Sequence, residues 1–338
     1  MTTGPKILIV SDAWAPQVNG PAVQTGRLCS MLKERGYGVT VVHPGLFWNF
    51  PLPGYPEIRV APFARRGVRR IISKEQPDYI YVPTEGPLGF AARAACIKDG
   101  RKFFAAYHTH FPLYLPLYIK VPFIARALSS LALSVMRRFH NSAAATLVAT
   151  ESLRQELLRA GIKRPRVWHH GSDTQRITWG AVVPPMQKPV FLCFGRVAIE
   201  KNVEEFLRLE LPGTKLVVGG GPDLARLRRL YEGKAVFAGF QEHLADWLKA
   251  SDVCIFPSRT DTWGRTIVET LSFGIPVAAY DVLGPRDIIT PGHDGYLGED
   301  LREAALKCLD LSPEACKATA QKYSWKNSVD EFIELIKT

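Results

Sequence analysis

Four side chains in the second half of the chain have the types and spacing to grip an anion flanked by hydroxyls. In "FGRVAIEKN", Phe194 to Asn202, a strand ends at Gly195, cations follow at Arg196 and Lys201, and a helix starts near Val203. A helix N-terminus carries partial positive charge and disfavours cations. Two cations there make sense around an anion shared with the backbone N–H groups, and a diphosphate fits. The plain alternative is pairing of Lys201 with Glu204 or Glu205 on a solvated face. In "PSRTDTWGRTIVET", Pro257 to Thr270, Asp261 and Glu269 bracket Gly264 and Arg265. The helix is expected to start within a residue or two of Gly264 and to reach Phe273. Asp261 then lies in the loop at the carboxyl end of a strand, and Glu269 on the second turn. Asp261 can accept from sugar hydroxyls and Glu269 from a ribose diol. Gly264 lets backbone approach a ligand closely, and Arg265 is again a cation in a first helical turn. Alternatively, Asp261 is only an N-terminal helix residue.

The first half has fainter signals. Asn19 and Gly20 precede Pro21, the expected first helical position, so "VNGPAV" either offers N–H groups to an anion or is a simple turn. His108, in "YHTHFP", ends a strand where a polar residue would face a cleft; its alternative is a hydrogen-bonded structural histidine. His110 follows, but the pair lacks a third nearby metal ligand. The chain has no G-x-G-x-x-G, no G-x-x-x-x-G-K-[ST], no H-E-x-x-H and no D-x-D, so neither a dinucleotide fingerprint nor a paired-aspartate metal site is visible. "GGGP" at Gly219–Pro222 reads as a glycine turn after a strand.

The elements that must hold these residues alternate. Strand-like runs fall at Ile7–Val10, Val39–His43, Tyr79–Val82, Phe103–Tyr107 and Thr146–Ala149. Others follow at Val190–Phe194, Lys215–Val218, Val253–Phe256 and Val277–Tyr280. They are short and apolar, as parallel strands buried on both faces should be. The first helix is expected from near Pro21 to Gly36. "AVVPPMQKP", Ala181 to Pro189, interrupts the alternation and is the best linker candidate. Each side can build an open α/β sheet, whose ligands bind at the carboxyl ends of strands. Two such sheets facing one another would leave a cleft between domains.

The 338 residues suit two such domains, and 46 % apolar with 22 % charged residues is ordinary for a globular chain. Six cysteines form no C-x-x-C pair and read as buried thiols of a reduced compartment. The first strand "KILIV" is too short for a signal-peptide core, and the apolar region Phe111 to Met136 is too interrupted to span a membrane. Net charge is +11, concentrated early: residues 1–175 hold 23 Lys+Arg against 10 Asp+Glu. That half is expected to meet an anionic partner. After Pro122, Ile124, Leu128, Leu131 and Val135 share a helical face, which Phe139 extends. Arg126, Arg137, Arg138 and the upstream "RRGVRR" (Arg65–Arg70) flank it. This is either a basic amphipathic surface for an anionic membrane or a core-facing helix.

In this order, "ILIVSDAWAPQVNG", "YHTHFP", "GRVAIEKN", "DVCIFPSRTDTWGRTIVETLSFGIPVAAYD" and "YSWKNSVDEF" resemble the retaining glycosyltransferases of family GT4 across essentially the whole chain. The resemblance implies a GT-B fold: two facing Rossmann-like, doubly wound parallel-sheet domains with an interdomain cleft. It implies an acceptor-binding domain over 1–176, a linker at 177–189, a nucleotide-sugar domain over 190–320, and a C-terminal helix in 321–338 packing back on the first domain. Arg196 and Lys201 match the family's diphosphate-binding pair. Asp261 and Glu269 match the ends of its E-x7-E motif, with the intervening Thr262, Trp263, Gly264 and Arg265 counted in the donor site. Gly195 belongs to that site, as does Phe240, near which the base is expected. Asn19 and Gly20 match the loop that closes over the phosphates, and His108 the histidine beside the reacting sugar. Three positions depart from the pattern: Asp261 for Glu, Trp263 for Phe, and Arg265 for an aliphatic residue.

The implied reaction moves a hexosyl group from a UDP- or GDP-linked sugar to a hydroxyl, with retention and with no cofactor or metal. The implied catalytic residues are His108, Arg196, Lys201 and Asp261. The expected acceptor is a membrane lipid, with the chain cytoplasmic and peripheral on the inner membrane face, and no nucleic-acid partner is expected. A glycan acceptor for a soluble mannosyltransferase, a nucleotide-sugar epimerase, and a nucleic-acid module suggested by charge alone remain as rivals.

Overall fold

The computed structural model describes residues 4–17, 19–53, 55–110, 116, 119, 121–172 and 177–338. Over these residues the chain forms two compact units. One comprises Met1–Leu115, Val121–Gly171 and Lys326–Thr338, and the other Pro116–Lys120 and Ser172–Trp325. Unit 2 therefore takes in 177–189, the stretch read from sequence as a linker. It is tied there by side chains: Asp246 accepts from the Gly180 and Ala181 N–H groups at 2.7 and 2.9 Å, and Lys188 pairs with Asp252 at 2.8 Å.

In unit 1, β1 (Lys6–Val10), β2 (Gly38–Val42), β5 (Tyr79–Val82), β6 (Phe104–Ala106), β7 (Ala145–Val148) and β8 (Pro165–Val167) form a parallel sheet in the order β2-β1-β5-β6-β7-β8. β3 (Phe50–Leu52) and β4 (Tyr55–Val60) make a separate antiparallel ribbon. The helices are α1 (Gly20–Glu34), α2 (Arg65–Glu75), α3 (Pro87–Lys98), α4 (Pro122–His140) and α5 (Glu151–Arg159). α1 starts where Asn19 accepts from the Ala22 N–H at 3.0 Å, with proline in the first turn. Leu8, Val10, Ile80 and Val82 are the central strands' contribution to a core closed by Val68 and Ile72 of α2 and Ala92 of α3. Burying such side chains stabilises by roughly 1.5–3 kcal/mol each.

Unit 2 repeats the design with β9 (Val190–Phe194), β10 (Thr214–Val218), β11 (Val236–Gly239), β12 (Val253–Phe256), β13 (Val277–Ala279) and β14 (Gly295–Leu297), ordered β11-β10-β9-β12-β13-β14. Its helices are α6 (Val203–Arg208), α7 (Leu224–Leu230), α8 (Ala245–Lys249), α9 (Arg265–Ser272), α10 (Pro285–Ile288), α11 (Leu301–Cys308) and α12 (Pro313–Gln321). The last helix, α13 (Trp325–Lys337), leaves unit 2 and docks on unit 1. There the Phe332 ring meets Tyr81 and Trp168 at 5.0 and 5.1 Å, and the Trp168 indole N–H donates to the Ser328 carbonyl at 2.8 Å.

All nine strand-like runs are strands within a residue at each end. β3, β4, β8, β11 and β14 escaped the sequence reading because all five are short edge strands with proline or glycine at or within their ends, so no long apolar run marks them.

Candidate active site

In unit 2 the strand order reverses between β9 and β12, which pair side by side. Such a switch point opens a crevice at the carboxyl ends of the strands. Both signal-bearing loops leave from it. The loop after β9 carries Gly195, Arg196 and Lys201, and the loop after β12 carries Asp261 to Gly264.

Backbone and side-chain hydrogen bonds fix the two loops together. Asn202 donates from Nδ2 to the Pro257 carbonyl at 3.2 Å. The Ser258 and Thr260 hydroxyls donate to the Glu200 carbonyl at 3.2 and 3.3 Å. Asn202 holds φ +53°, a left-handed conformation that asparagine tolerates better than most residues. It turns the chain from the 3-10 turn Ile199–Lys201 into α6. These contacts bring Lys201 Nζ to 2.5 Å from Asp261 Oδ1. The other carboxylate oxygen, Oδ2, is buried and meets no hydrogen-bond partner among the described residues. Lys201 thus reaches across the crevice to Asp261, rather than pairing locally with Glu204 or Glu205. Glu204 is held instead by Arg208 and Arg226.

Arg196 is half-buried just past Gly195, where the loops after β9 and β10 run together: Gly195 N–H donates to Val218 and Val197 N–H to Gly220. Beyond β11, Phe240 projects into solvent, 70 % exposed, against Gly220.

Gly264 sits at φ +96° immediately before α9, and a side chain there would strike Ile267 at 2.7 Å. Only glycine fits that entry to the helix. No side chain caps α9 and its first turn holds no acidic residue; the Ile267 N–H there donates to the Gly264 carbonyl at 2.9 Å. Arg265 Nε donates to Glu269 Oε1 at 2.8 Å, one turn along. Burial pushes the Glu269 carboxyl above the usual glutamate range, and the Arg265 guanidinium opposes that rise. Thr262 is half-buried at the loop's outer turn, whereas the Trp263 ring is buried 6.3 Å from that of Tyr323, so its bulk shapes the loop from beneath.

One supporting residue had no sequence signal. Gly284, after β13, holds φ +87° and lies so close under the Asp261–Trp263 backbone that a Cβ would sit 3.0 Å from the Asp261 carbonyl oxygen and 2.7 Å from that of Trp263. Asn202, Ser258 and Thr260 were also missed, although hydroxyls and an asparagine beside a strand end were a usable clue.

Unit 1 holds the remaining residues. Asn19 uses its side-chain oxygen to cap α1 and its amide to meet Gln17 at 3.0 Å, while Gly20 begins the helix with open space around it. Val18 of the same loop, together with Phe111, Pro112, Tyr114 and Tyr118, lies outside the described residues. His108 follows β6, and its ring is 5.2 Å from His170. Burial pushes its pKa down to about 4, so it is a neutral imidazole at pH 7. His110 is a structural histidine bonded through Nε2 to Glu156 at 2.8 Å, and among the described residues no His/Cys/Asp/Glu group could hold a metal. At this unit's own switch point, between β1 and β5, Asp12 takes the place an anion would occupy: it accepts from the Leu88 and Gly89 N–H groups of α3 at 2.9 and 3.2 Å.

α4 turns its apolar stripe outward and corrects one expectation. Ile124, Leu128, Leu131 and Val135 face outward, beside exposed Arg126, Arg137 and Arg138, while Ala125, Met136 and Phe139 face the core. Phe139 does not extend the outward stripe: its ring is held in the core between Phe90 and Phe103, at 5.1 and 6.0 Å. Among the described residues no helix is long and apolar enough to cross a membrane. All six cysteines are buried and unbridged.

Two family models divide the chain much as the two units do: Glycosyltransferase Family 4 matches residues 18–176, and Glycosyl transferases group 1 matches 188–312. The chain belongs to glycosyltransferase family 4. This family 4 chain is 29 % identical over 87 % of its length to a GDP-mannose-dependent alpha-mannosyltransferase of Mycobacterium tuberculosis, covering 84 % of that protein. It is 25 % identical over 97 % of its length to an alpha-monoglucosyldiacylglycerol synthase of Streptococcus pneumoniae, covering 83 % of it. Among solved structures, HepE of Anabaena, crystallised with UDP, superposes with a TM-score of 0.69 at 16 % identity, covering 98 % of this chain and 99 % of that one. That likeness, with the two parallel-sheet units, makes the fold GT-B. The protein is a glycosyltransferase.

Proposed function

We propose that this enzyme transfers a hexosyl group from a UDP- or GDP-linked sugar to a lipid hydroxyl with retention at the anomeric carbon. The observation that carries the reading is the stitched crevice of unit 2, with Lys201 fixed on Asp261 and the second oxygen of Asp261 buried and meeting no partner among the described residues. A donor sugar hydroxyl satisfies that oxygen. The ribose diol donates to Glu269, and the diphosphate lies against Arg196, Lys201 and the uncapped start of α9. As the anomeric C–O bond to the diphosphate breaks, the leaving oxygen gains negative charge, which these groups stabilise. The acceptor oxygen bonds to the anomeric carbon from the same face, and its proton passes to a phosphate oxygen. Neither carboxylate acts as a nucleophile. The resemblance gives His108 a role towards the reacting sugar, and a neutral imidazole suits hydrogen bonding rather than a charged role.

The named relatives use GDP-mannose or make a glucosylated diacylglycerol, so donor base and sugar stay open between those chemistries. The outward apolar stripe of α4 and its arginines favour a lipid over a soluble glycan, because a core-facing helix would hide that stripe. The test is a panel of UDP- and GDP-sugars with and without a diacylglycerol acceptor, read as nucleotide release. Acceptor-dependent release of one nucleotide is expected. Release from no donor would sink the proposal, and isomerised donor without acceptor would favour an epimerase.

A further inference from the structure

The stretch read from sequence as a linker carries an indole that the transfer chemistry does not use. Trp179 is 55 % exposed, yet its neighbours hold it in place. The Thr178 carbonyl accepts from the Ala245 N–H at 3.0 Å, and the Thr178 hydroxyl meets His243 Nδ1 at 3.0 Å. On the other side Asp246 holds the Gly180 and Ala181 N–H groups. Trp179 is therefore fixed beside α8 with much of its ring in water, an unfavourable place for apolar surface unless something covers it.

The ring lines a groove of about 960 Å³, within the range of small-molecule sites. Pro189, Asp252 and Pro276 also line it, and they directly precede β9, β12 and β13. The groove thus lies at the amino ends of the sheet whose carboxyl ends open the crevice, a strand length of about 13–17 Å away. Phe273, just past α9, sets its ring 6.1 Å from that of Trp179 and tilted by 53°. Lys249, in the last turn of α8, holds Nζ 5.6 Å from the indole centroid. Lys317 of α12 passes Gly274, its Cε 3.1 Å from where a Cβ there would lie. Both lysines are exposed and make no ion pair among the described residues. Asp252, the carboxylate among the lining residues, is already neutralised: Lys188 Nζ donates to it at 2.8 Å and to the Ala250 carbonyl at 2.9 Å. An aromatic wall and two unneutralised cations therefore share one groove.

We propose that this groove binds an anionic saccharide, with a sugar ring against Trp179 and Phe273 and its carboxylate or phosphate on Lys249 and Lys317. Charge complementarity selects an anion. The rings select a sugar: an exposed indole with a tilted phenyl neighbour takes the C–H face of a pyranose, whereas a 53° tilt leaves no parallel slot for a nucleobase. Two cations beside the rings disfavour an apolar helix of another protein. The site goes beyond the transfer reading and does not depend on which acceptor the enzyme serves.

The test is isothermal titration calorimetry of the full-length enzyme with trigalacturonate, mannose 6-phosphate and neutral maltotriose, at low and high salt. The parent is compared with Trp179→Ala and with Lys249→Gln/Lys317→Gln. All three positions are exposed and outside the crevice, so melting temperature and affinity for UDP and GDP should match the parent's. The expected result is binding of one or both anions that weakens with salt and is at least about tenfold weaker in each variant. Which anion binds shows whether carboxylate or phosphate is read. The proposal is overturned if neither anion binds, if the variants bind like the parent, or if maltotriose binds as tightly as the anions. Self-association of the parent that is lost in Trp179→Ala would make the groove an interface between copies and overturn it too. Donor turnover judges the transfer reading separately in every case.

Discussion

Replacing Lys201 by methionine removes the cation but keeps much of the side-chain volume. At 2.5 Å from Asp261, the lost gross attraction is about 7 kcal/mol at an effective dielectric of 20. Desolvation already offsets most of that in the folded protein. A fully buried charge stripped of its partner costs about 3–5 kcal/mol. Lys201 and Asp261 keep 30 % and 15 % of their side-chain surface in water, so solvent screens the stranded carboxylate and the expected stability loss is nearer 2 kcal/mol. Turnover should fall further, by about 10²–10³, the effect of losing one donor to a developing oxyanion. Adding Asp261→Asn separates the two effects. The neutral amide relieves the stranded charge, so thermal stability should return towards the parent's, whereas turnover should stay low because the cation is still missing. Differential scanning calorimetry and single-turnover nucleotide release measure these independently. Recovery of turnover in the double variant would refute the electrostatic role of Lys201, and no recovery of stability would refute its coupling to Asp261.

Arg265→Leu removes the charge that opposes the upward shift of the Glu269 carboxyl. On the proposed ribose contact the ionised form binds donor, so binding is lost as pH falls through a pKa that is already raised. The variant's acid limb should therefore move to higher pH, with Arg265→Lys restoring it, as read by nucleoside diphosphate affinity between pH 4.5 and 8; superimposable limbs count against it. Gly284→Ala forces a Cβ towards the Asp261 and Trp263 carbonyls at a positive φ. It should lower stability by about 1–3 kcal/mol and raise the donor KM by displacing the loop. A variant with unchanged melting temperature and KM would show that the loop does not depend on this contact.

Much was legible in the residues. Short apolar runs between helical stretches specified two parallel α/β sheets, because strands buried on both faces must be apolar along their whole length. "GRVAIEKN" and "TDTWGRTIVE" marked Lys201 and Asp261, which the fold brings into contact, since cations ahead of a helix and glycine at its entry are locally costly choices. The direction of the α4 stripe was not legible: a 3.6-residue period marks an amphipathic face but not which side of the molecule it meets. Nor was the fate of Phe139, on a helix whose two faces both carry apolar side chains. The partner of Lys201 was equally hidden, because Glu204 and Glu205 are near in sequence while Asp261 is near only once β9 and β12 lie side by side. Gly284 is the extreme case, an ordinary turn glycine in sequence whose requirement comes from a backbone some twenty residues away. Sequence by itself determined the central elements of each sheet and the residue types at their ends, because these depend on local propensity and burial pattern. Only the tertiary structure decided which ends meet and which apolar faces stay in water, because those depend on strand order, and strand order is a property of the whole chain.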